Sequence, residues 1–327
     1  MPVARISRRA VLALGSTFAT GMAVRARGQD NPAPGLLAAY LDEVSPTAFL
    51  AMREGRLVAQ HGDPARKVSV ASVRKSLLGA LYGIAVAEGR IRLTETLAQL
   101  GIDDLAPSLS AAEKQATVAD LLAARSGIYH VAAYETRDME RRRPGRGSHP
   151  PGSFWFYNNW DFNALGTIYR QRTGEDIFQS FERRIARPIG MRDFSVADGR
   201  YVGEAGSVHP AYVFDLSTRD MLRFGEMVLA RGRWQGREVV PAGWLAESLT
   251  EHSRSARPGL GYGYLWWTLP AERFGPGAGF AAGYGGQFIA VLPREGIVVA
   301  QTIARRPAAG GGATRRFVRL LNGLAGR

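Results

Sequence analysis

The sequence predicts an α+β fold: one antiparallel sheet built from both chain ends and flanked by helices, with a central all-helical region beside it. Three observations predict this. A hairpin signal stands near the N-terminus, three strand-like apolar runs stand near the C-terminus, and residues 90–215 read as helices and loops. With 327 residues, 46% hydrophobic and 22% charged, the chain has the composition of a soluble globular protein able to bury its own core. The expected division is a leader over 1–28 and a folded domain over 29–327. The sheet-bearing part of that domain covers about 29–90 and 216–327, and the helical part about 91–215.

The leader, MPVARISRRAVLALGSTFATGMAVRARG, has a basic start, a short apolar stretch and small residues before a polar run. It reads as a secretory signal, too short and too glycine-broken to span a membrane. Arg8-Arg9 followed by Ala10-Val11-Leu12 resembles a twin-arginine signal; the other reading is an ordinary secretory signal that has two arginines. Either way the expectation is a bacterial protein exported to the periplasm or beyond, with no stable membrane anchor once the leader is removed. No cysteine occurs, which excludes disulfides, thiolate metal sites, a cysteine nucleophile and a lipidated cysteine. The net charge is +13, of which the leader's five arginines account for five, leaving 13 − 5 = +8. Those remaining arginines are scattered, as on a solvated surface, and no nucleic-acid motif accompanies them.

After the leader, residues 35–44 read as a short helix, and 47–62 are two apolar runs broken at Glu54-Gly55, a hairpin signal. From Ser72 to about Glu88 no strand alternation exists, and the run is too long for a strand; it reads as a buried helix stopped by Gly89. Thr117 to Asp120 has capping-box spacing and opens a helix ending at Gly127. Residues 161–174 and 175–190 show helical spacing with glycine stops, and Ser217 to Asp220 is a second capping box. Residues 262–269, 286–293 and 296–304 read as strands, and 313–324 as a closing amphipathic helix. The segments 129–150 and 270–282 read as loops.

The chain has only three lysines, Lys67, Lys75 and Lys114. Lys75 follows Ser72 by three residues, which places both on one helix face. A serine hydroxyl is a weak nucleophile until a base removes its proton, and a lysine at its ordinary pKa cannot do so at neutral pH. Burial among Leu77, Leu78 and Leu81 disfavours the charged amine and would bring it into a useful range. Arginine could not serve, because it keeps its proton in proteins. A second reading stands beside this one: Ser72 as a helix N-cap and Lys75 pointing to water.

Taken with its neighbours, the stretch Ser72-Val73-Arg74-Lys75 resembles the S-x-x-K motif of the serine β-lactamase and penicillin-binding-protein superfamily. The likeness is greatest to the class C β-lactamase-like branch, with its esterases, D-aminopeptidases and aminohexanoate-oligomer hydrolases. Asp120-Leu121-Leu122 through Ser126-Gly127-Ile128 is similar to that branch's D-L-L-x-x-x-S-G-[IL] helix end. Pro151 to Asn159 resembles P-G-x-x-x-x-Y-x-N, which puts Tyr157 and Asn159 on the second motif. Pro188 to Met191 and Ser217 to Asp220 are further matches of a structural kind, and Gly283-Tyr284-Gly285-Gly286-Gln287 sits where the third motif belongs. The resemblance spans about residues 36–325 and implies a β-lactamase/transpeptidase-like fold.

The resemblance also implies roles. Ser72 would be the acyl-forming nucleophile, Lys75 its base and Tyr157 a proton relay; Asn159 would donate a hydrogen bond to Lys75 or the substrate. Backbone N–H groups of Ser72 and Gln287 would form an oxyanion hole, and Gly285 and Gly286 would let a strand backbone come close to the substrate. Tyr284 departs from the family, which usually has lysine or histidine there, and an arginine from 137–146 could supply the missing charge. The substrate implied is a small ester or amide, with no cofactor and no metal. Two alternatives are a true β-lactamase or D,D-peptidase acting on a lactam or peptide, and a non-catalytic binder of cell-wall peptides.

Other candidates have plainer readings. His61, His130, His149, His209 and His252 show no metal-ligand spacing, and G-x-S-x-G is absent. Trp155, Trp160, Trp266 and Trp267 suit either a core or an acyl pocket. Asp220 reads as a helix cap. The sequence carries no signal of oligomeric state.

Overall fold

The two chain ends meet in one antiparallel sheet, as the sequence predicts. The computed structural model describes residues 34–304 and 312–326, so the leader assigned to 1–28 lies outside the described residues. Helix α1 (Pro34–Val44) precedes the hairpin of β1 (Ala48–Arg53) and β2 (Arg56–Gly62). Strand β3 (Lys67–Ser69) leads through a 3₁₀ turn, Ala71–Val73, into helix α2 (Arg74–Ala87). The helical region holds α3 (Leu97–Leu100), α4 (Val118–Leu122), α5 (Arg137–Arg142), α6 (Asn159–Thr173) and α7 (Ile177–Phe181). Strands β4 (Gly199–Val202) and β5 (Ala211–Ser217) come next, then α8 (Thr218–Leu229), β6 (Arg233–Trp234), β7 (Arg237–Glu238) and α9 (Ala242–Ser248). The chain closes with β8 (Ser253–Arg254), β9 (Gly261–Tyr262), β10 (Trp267–Thr268), α10 (Ala271–Phe274), β11 (Gly279–Gly283), β12 (Gln287–Leu292), β13 (Ile297–Thr302) and α11 (Ala313–Leu324).

The large sheet has eight strands in the order β2-β1-β13-β12-β11-β10-β9-β8, so the last strand inserts beside the first. Every residue of β12 and β13 is buried, which explains why their sequences are continuous apolar runs instead of alternating ones. Helices cover both faces. Phe317 of α11 stacks on Phe288 with ring centroids 4.1 Å apart, while α8 packs on β13, β12 and β1 from the other side. Helix α2 is apolar nearly all round, with 11 of its 14 residues buried, and forms the centre of the molecule.

The structure departs from the sequence reading in several places, each with a local cause. Residues 262–269 are two short strands, β9 and β10, paired with each other around Leu265 at φ +63°. That bend is held by Leu265 N–H on the Leu122 carbonyl (3.1 Å) and by Ser76 Oγ on the Leu265 carbonyl (2.7 Å). Strand β11 lies in a segment read as loop; its Gly-Phe-Ala-Ala-Gly sequence has weak strand propensity, and it forms because β10 and β12 pair with it on either side. The central region also contains β4 and β5, which join β3 in a three-stranded sheet. Helix α4 stops at Leu122, short of Gly127, and the Ala124 carbonyl then accepts the Phe156 N–H at 2.9 Å. Ser217 caps α8, but the expected box is only half formed. The Asp220 carboxylate instead accepts the N–H groups of Arg192, Asp193 and Phe194, each at 2.9 Å.

One close approach ties the sheet to the turn before α2. A Cβ on Gly283 of β11 would lie 2.2 Å from the Val70 carbonyl oxygen, a backbone atom that cannot swing away. Gly283→Ala is therefore expected to cost about 1–3 kcal/mol of stability through overpacking. A thermal melt reads this, and an unchanged melting temperature would contradict the tight contact.

Candidate active site

The 3₁₀ turn presents Ser72 half-buried at its surface, and the following helix carries Lys75 inward, 1% exposed. Ala71, just before the serine, sits at φ +47°, where non-glycine residues are rare; such backbone strain concentrates at functional sites. Lys75 Nζ lies 3.0 Å from Ser72 Oγ, 2.7 Å from Tyr157 Oη and 2.9 Å from Asn159 Oδ1. The amine also faces the rings of Tyr157 and Phe162, each centroid 4.2 Å away. The reading of Ser72 as a plain cap with Lys75 in water is thus set aside.

Burial is the main cause that holds the Lys75 pKa well below its ordinary value, with the Arg74 charge acting in the same direction and the Asp161 charge opposing both. Tyr157 is pushed up, first by burial; its contact with Ser72 and the charges of Arg74 and Arg257 work the other way. The pair therefore favours a neutral amine beside a neutral phenol. A neutral amine has two N–H groups and one lone pair. Asn159 Oδ1 can only accept, so it takes one N–H, which leaves one N–H and the lone pair to the two hydroxyls. That is the arrangement a base needs.

Asn159 corrects its expected role: its amide oxygen accepts from Lys75, and its Nδ2 donates to the carbonyl of Tyr134. Four residues on along α6, Asn163 Nδ2 donates to the Ala133 carbonyl at 3.0 Å, and its Oδ1 accepts from Arg74 Nη2 at 3.1 Å. The loop at 133–134 thus orients both asparagines. Arg74 is buried, lies 4.5 Å over the Tyr212 ring, and keeps Nε and Nη1 without partners. Asp161 is buried among the same elements, its carboxyl pushed up to about 8 by burial, with Ser126 Oγ donating to it at 2.5 Å.

At the third motif, Gln287 is fully buried and its side chain is not free for a substrate. Its Nε2 donates to the Ile303 carbonyl and its Oε1 accepts the Ile303 N–H. Gly285 and Gly286 form the β11–β12 turn at φ +88° and +101°, a left-handed backbone that glycine adopts without steric cost. The Gly286 carbonyl is fixed by Gln301 Nε2 at 2.9 Å. Tyr284 is 46% exposed on this turn. Among the tryptophans, Trp160, Trp266 and Trp267 are core; Trp267 and the half-buried Trp155 flank Tyr157 at ring distances of 5.6 and 6.4 Å. His130 sits against the Leu105 carbonyl, as a structural histidine. Arg74, Asn163, Asp161 and Arg257 were not singled out from sequence; only Arg74, inside the S-x-x-K stretch, stood at a position that could have drawn notice.

A family model described as Beta-lactamase matches residues 37–323. The chain belongs to the Beta-lactamase family. Solved structures agree on the fold of this Beta-lactamase family member. One, named as a 6-aminohexanoate-dimer hydrolase from Bacillus anthracis, superposes with a TM-score of 0.69 at 21% identity over 88% of this chain and 81% of its own. A penicillin-binding-protein homologue from Caulobacter crescentus gives 0.65 at 16% identity over 90% and 98%. A family VIII carboxylesterase gives 0.65 at 18% over 89% and 95%. Among curated proteins, none matches the sequence.

Proposed function

We propose that this Beta-lactamase family member is an exported serine hydrolase that forms an acyl-enzyme at Ser72 and hydrolyses a small ester or amide. The observation that carries the proposal is one buried amine within hydrogen-bond reach of Ser72, Tyr157 and Asn159. Names among the structural neighbours, a carboxylesterase and an aminohexanoate-dimer hydrolase, support the ester and amide classes.

In the proposed reaction the Lys75 lone pair takes the Ser72 proton while Oγ bonds to the substrate carbonyl carbon and the carbonyl π pair moves to its oxygen. The backbone N–H groups of Ser72 and Gln287 are assigned to that oxyanion, a contribution of several kcal/mol, on the order of 3, for each aimed donor. The tetrahedral adduct collapses by breaking the bond to the leaving oxygen or nitrogen. Tyr157 protonates that atom and recovers a proton from Lys75. Water then attacks the acyl group by the same steps, releasing the acid and restoring Ser72.

Tyr284 in place of a basic residue favours esters and amides over penicillins. Incubation with 4-nitrophenyl butyrate, nitrocefin and a fluorophosphonate probe tests the proposal. Ester turnover with Ser72 labelled is expected, and nitrocefin turnover far slower. Efficient nitrocefin turnover would make it a true β-lactamase, and the absence of labelling and turnover together would leave only a peptide binder.

A further inference from the structure

The site has a catalytic base but lacks the cation that the third motif would normally present, and the structure offers one from elsewhere. Of the five arginines in 137–146, Arg137 is exposed and the other four are engaged by carboxylates. Arg143 pairs with Glu135, Arg146 with Glu113, and Arg141 and Arg142 both with Asp138. Arg257, on the turn between β8 and β9, is exposed, and its guanidinium carbon lies 4.3 Å over the Trp267 ring. That ring in turn stacks on Tyr157, with centroids 5.6 Å apart and planes 26° apart. Tyr157 Oη is 2.7 Å from the Lys75 amine, and the Arg257 charge acts on the same phenol. One indole therefore separates the guanidinium from the catalytic phenol.

Among the described residues the Arg257 guanidinium has one hydrogen-bond partner, Thr314 Oγ1 at 3.0 Å, and no carboxylate pairs with it. The other charges it senses are Arg142, which adds to the positive field, and Asp138, already engaged by two arginines. A guanidinium stacked on an aromatic face keeps its N–H groups in its own plane, open at the edge, and presents a fork matched to a carboxylate. Stacking also limits the freedom that a long side chain would lose on binding.

We propose that Arg257 is a specificity-determining residue that reads a carboxylate carried by the substrate. The proposal rests on the acyl-enzyme reading above and narrows its substrate to anionic esters and amides. It is tested with two esters that differ by one charge, the mono(4-nitrophenyl) ester of adipate and its terminal carboxamide counterpart. The wild type is expected to favour the carboxylate in kcat/KM by about fivefold, the upper end for an exposed ion pair, and less at high salt. In Arg257→Gln the ratio should fall to about one, with Arg257→Lys between the two. Because the readout is a ratio, a general loss of activity in either variant does not disturb it. A wild-type ratio near one, or a ratio unchanged in Arg257→Gln, would overturn the assignment. If the wild type consumed neither ester, the Ser72 reading would fail and this inference with it.

Discussion

Lys75→Arg is expected to slow acylation of Ser72 by about 10²–10⁴-fold, the usual worth of a positioned general base. The charge and much of the length are kept; what is lost is the ability to shed a proton. In the wild type, burial first and the Arg74 charge second both favour the neutral amine, so the site holds its base ready before substrate arrives. The sign of the pH dependence follows. The competent form is deprotonated, so kcat/KM on a 4-nitrophenyl ester should rise with pH through the depressed Lys75 pKa and then level off. The variant should show neither the activity nor that limb. Lys75 is 1% exposed, and the larger guanidinium will strain its cavity by about 1–3 kcal/mol. Circular dichroism and thermal melting separate that cost from the chemical one, and Lys75→Met, neutral and similar in volume, should lose acylation equally. Labelling by a fluorophosphonate within tenfold of wild type in Lys75→Arg would remove Lys75 as the base.

The sequence made legible the parts of the fold that depend on local pattern. The hairpin at Glu54-Gly55, the buried α2 and the strands β12 and β13 follow from apolar periodicity and turn residues. Strand β11 was not legible, because a Gly- and Ala-rich segment becomes a strand only through its two neighbours. The bend at Leu265 was hidden for a related reason, since bonds to Leu122 and Ser76 far along the chain hold it. Within the site, Ser72, Lys75 and Tyr157 could be named because a reactive group has a restricted choice of residue type. The residues that tune and aim them could not. An arginine looks the same in a sequence whether it is solvated, as Arg254 is, or buried beside a lysine, as Arg74 is. Arg257 could not be named either, because its relation to Tyr157 comes from the stacking of three side chains from separate elements, which no spacing records.

Asp161→Asn is expected to reverse its effect on stability between acid and alkaline pH. The Asp161 carboxyl is raised by burial from 3.8 to about 8 in the folded chain. Between those values the folded state holds a proton that the unfolded state has released, so stability is fully present below about 4 and is lost as pH rises through about 8. Roughly four pH units at about 1.4 kcal/mol each set a ceiling on the order of 5 kcal/mol, and relaxation around the charge reduces it. Asparagine removes that term. Its Oδ1 can still accept from Ser126 Oγ, but its amide nitrogen would replace Oδ2, which has no partner, and an unpaired buried donor costs about 1–3 kcal/mol. At pH 5 the variant should therefore melt below the wild type, and at pH 9 at or above it. The site should feel the same change, because the Asp161 charge supports the protonated Lys75. That charge exists only above about 8, so in Asp161→Asn any part of the rising limb of the pH–rate profile above that value moves to lower pH and the part below it stays where it is. A difference in melting temperature that stays constant from pH 5 to 9 would show that Asp161 does not ionise within the folded chain. The Arg74 charge would then stand unopposed beside Lys75 across the working range.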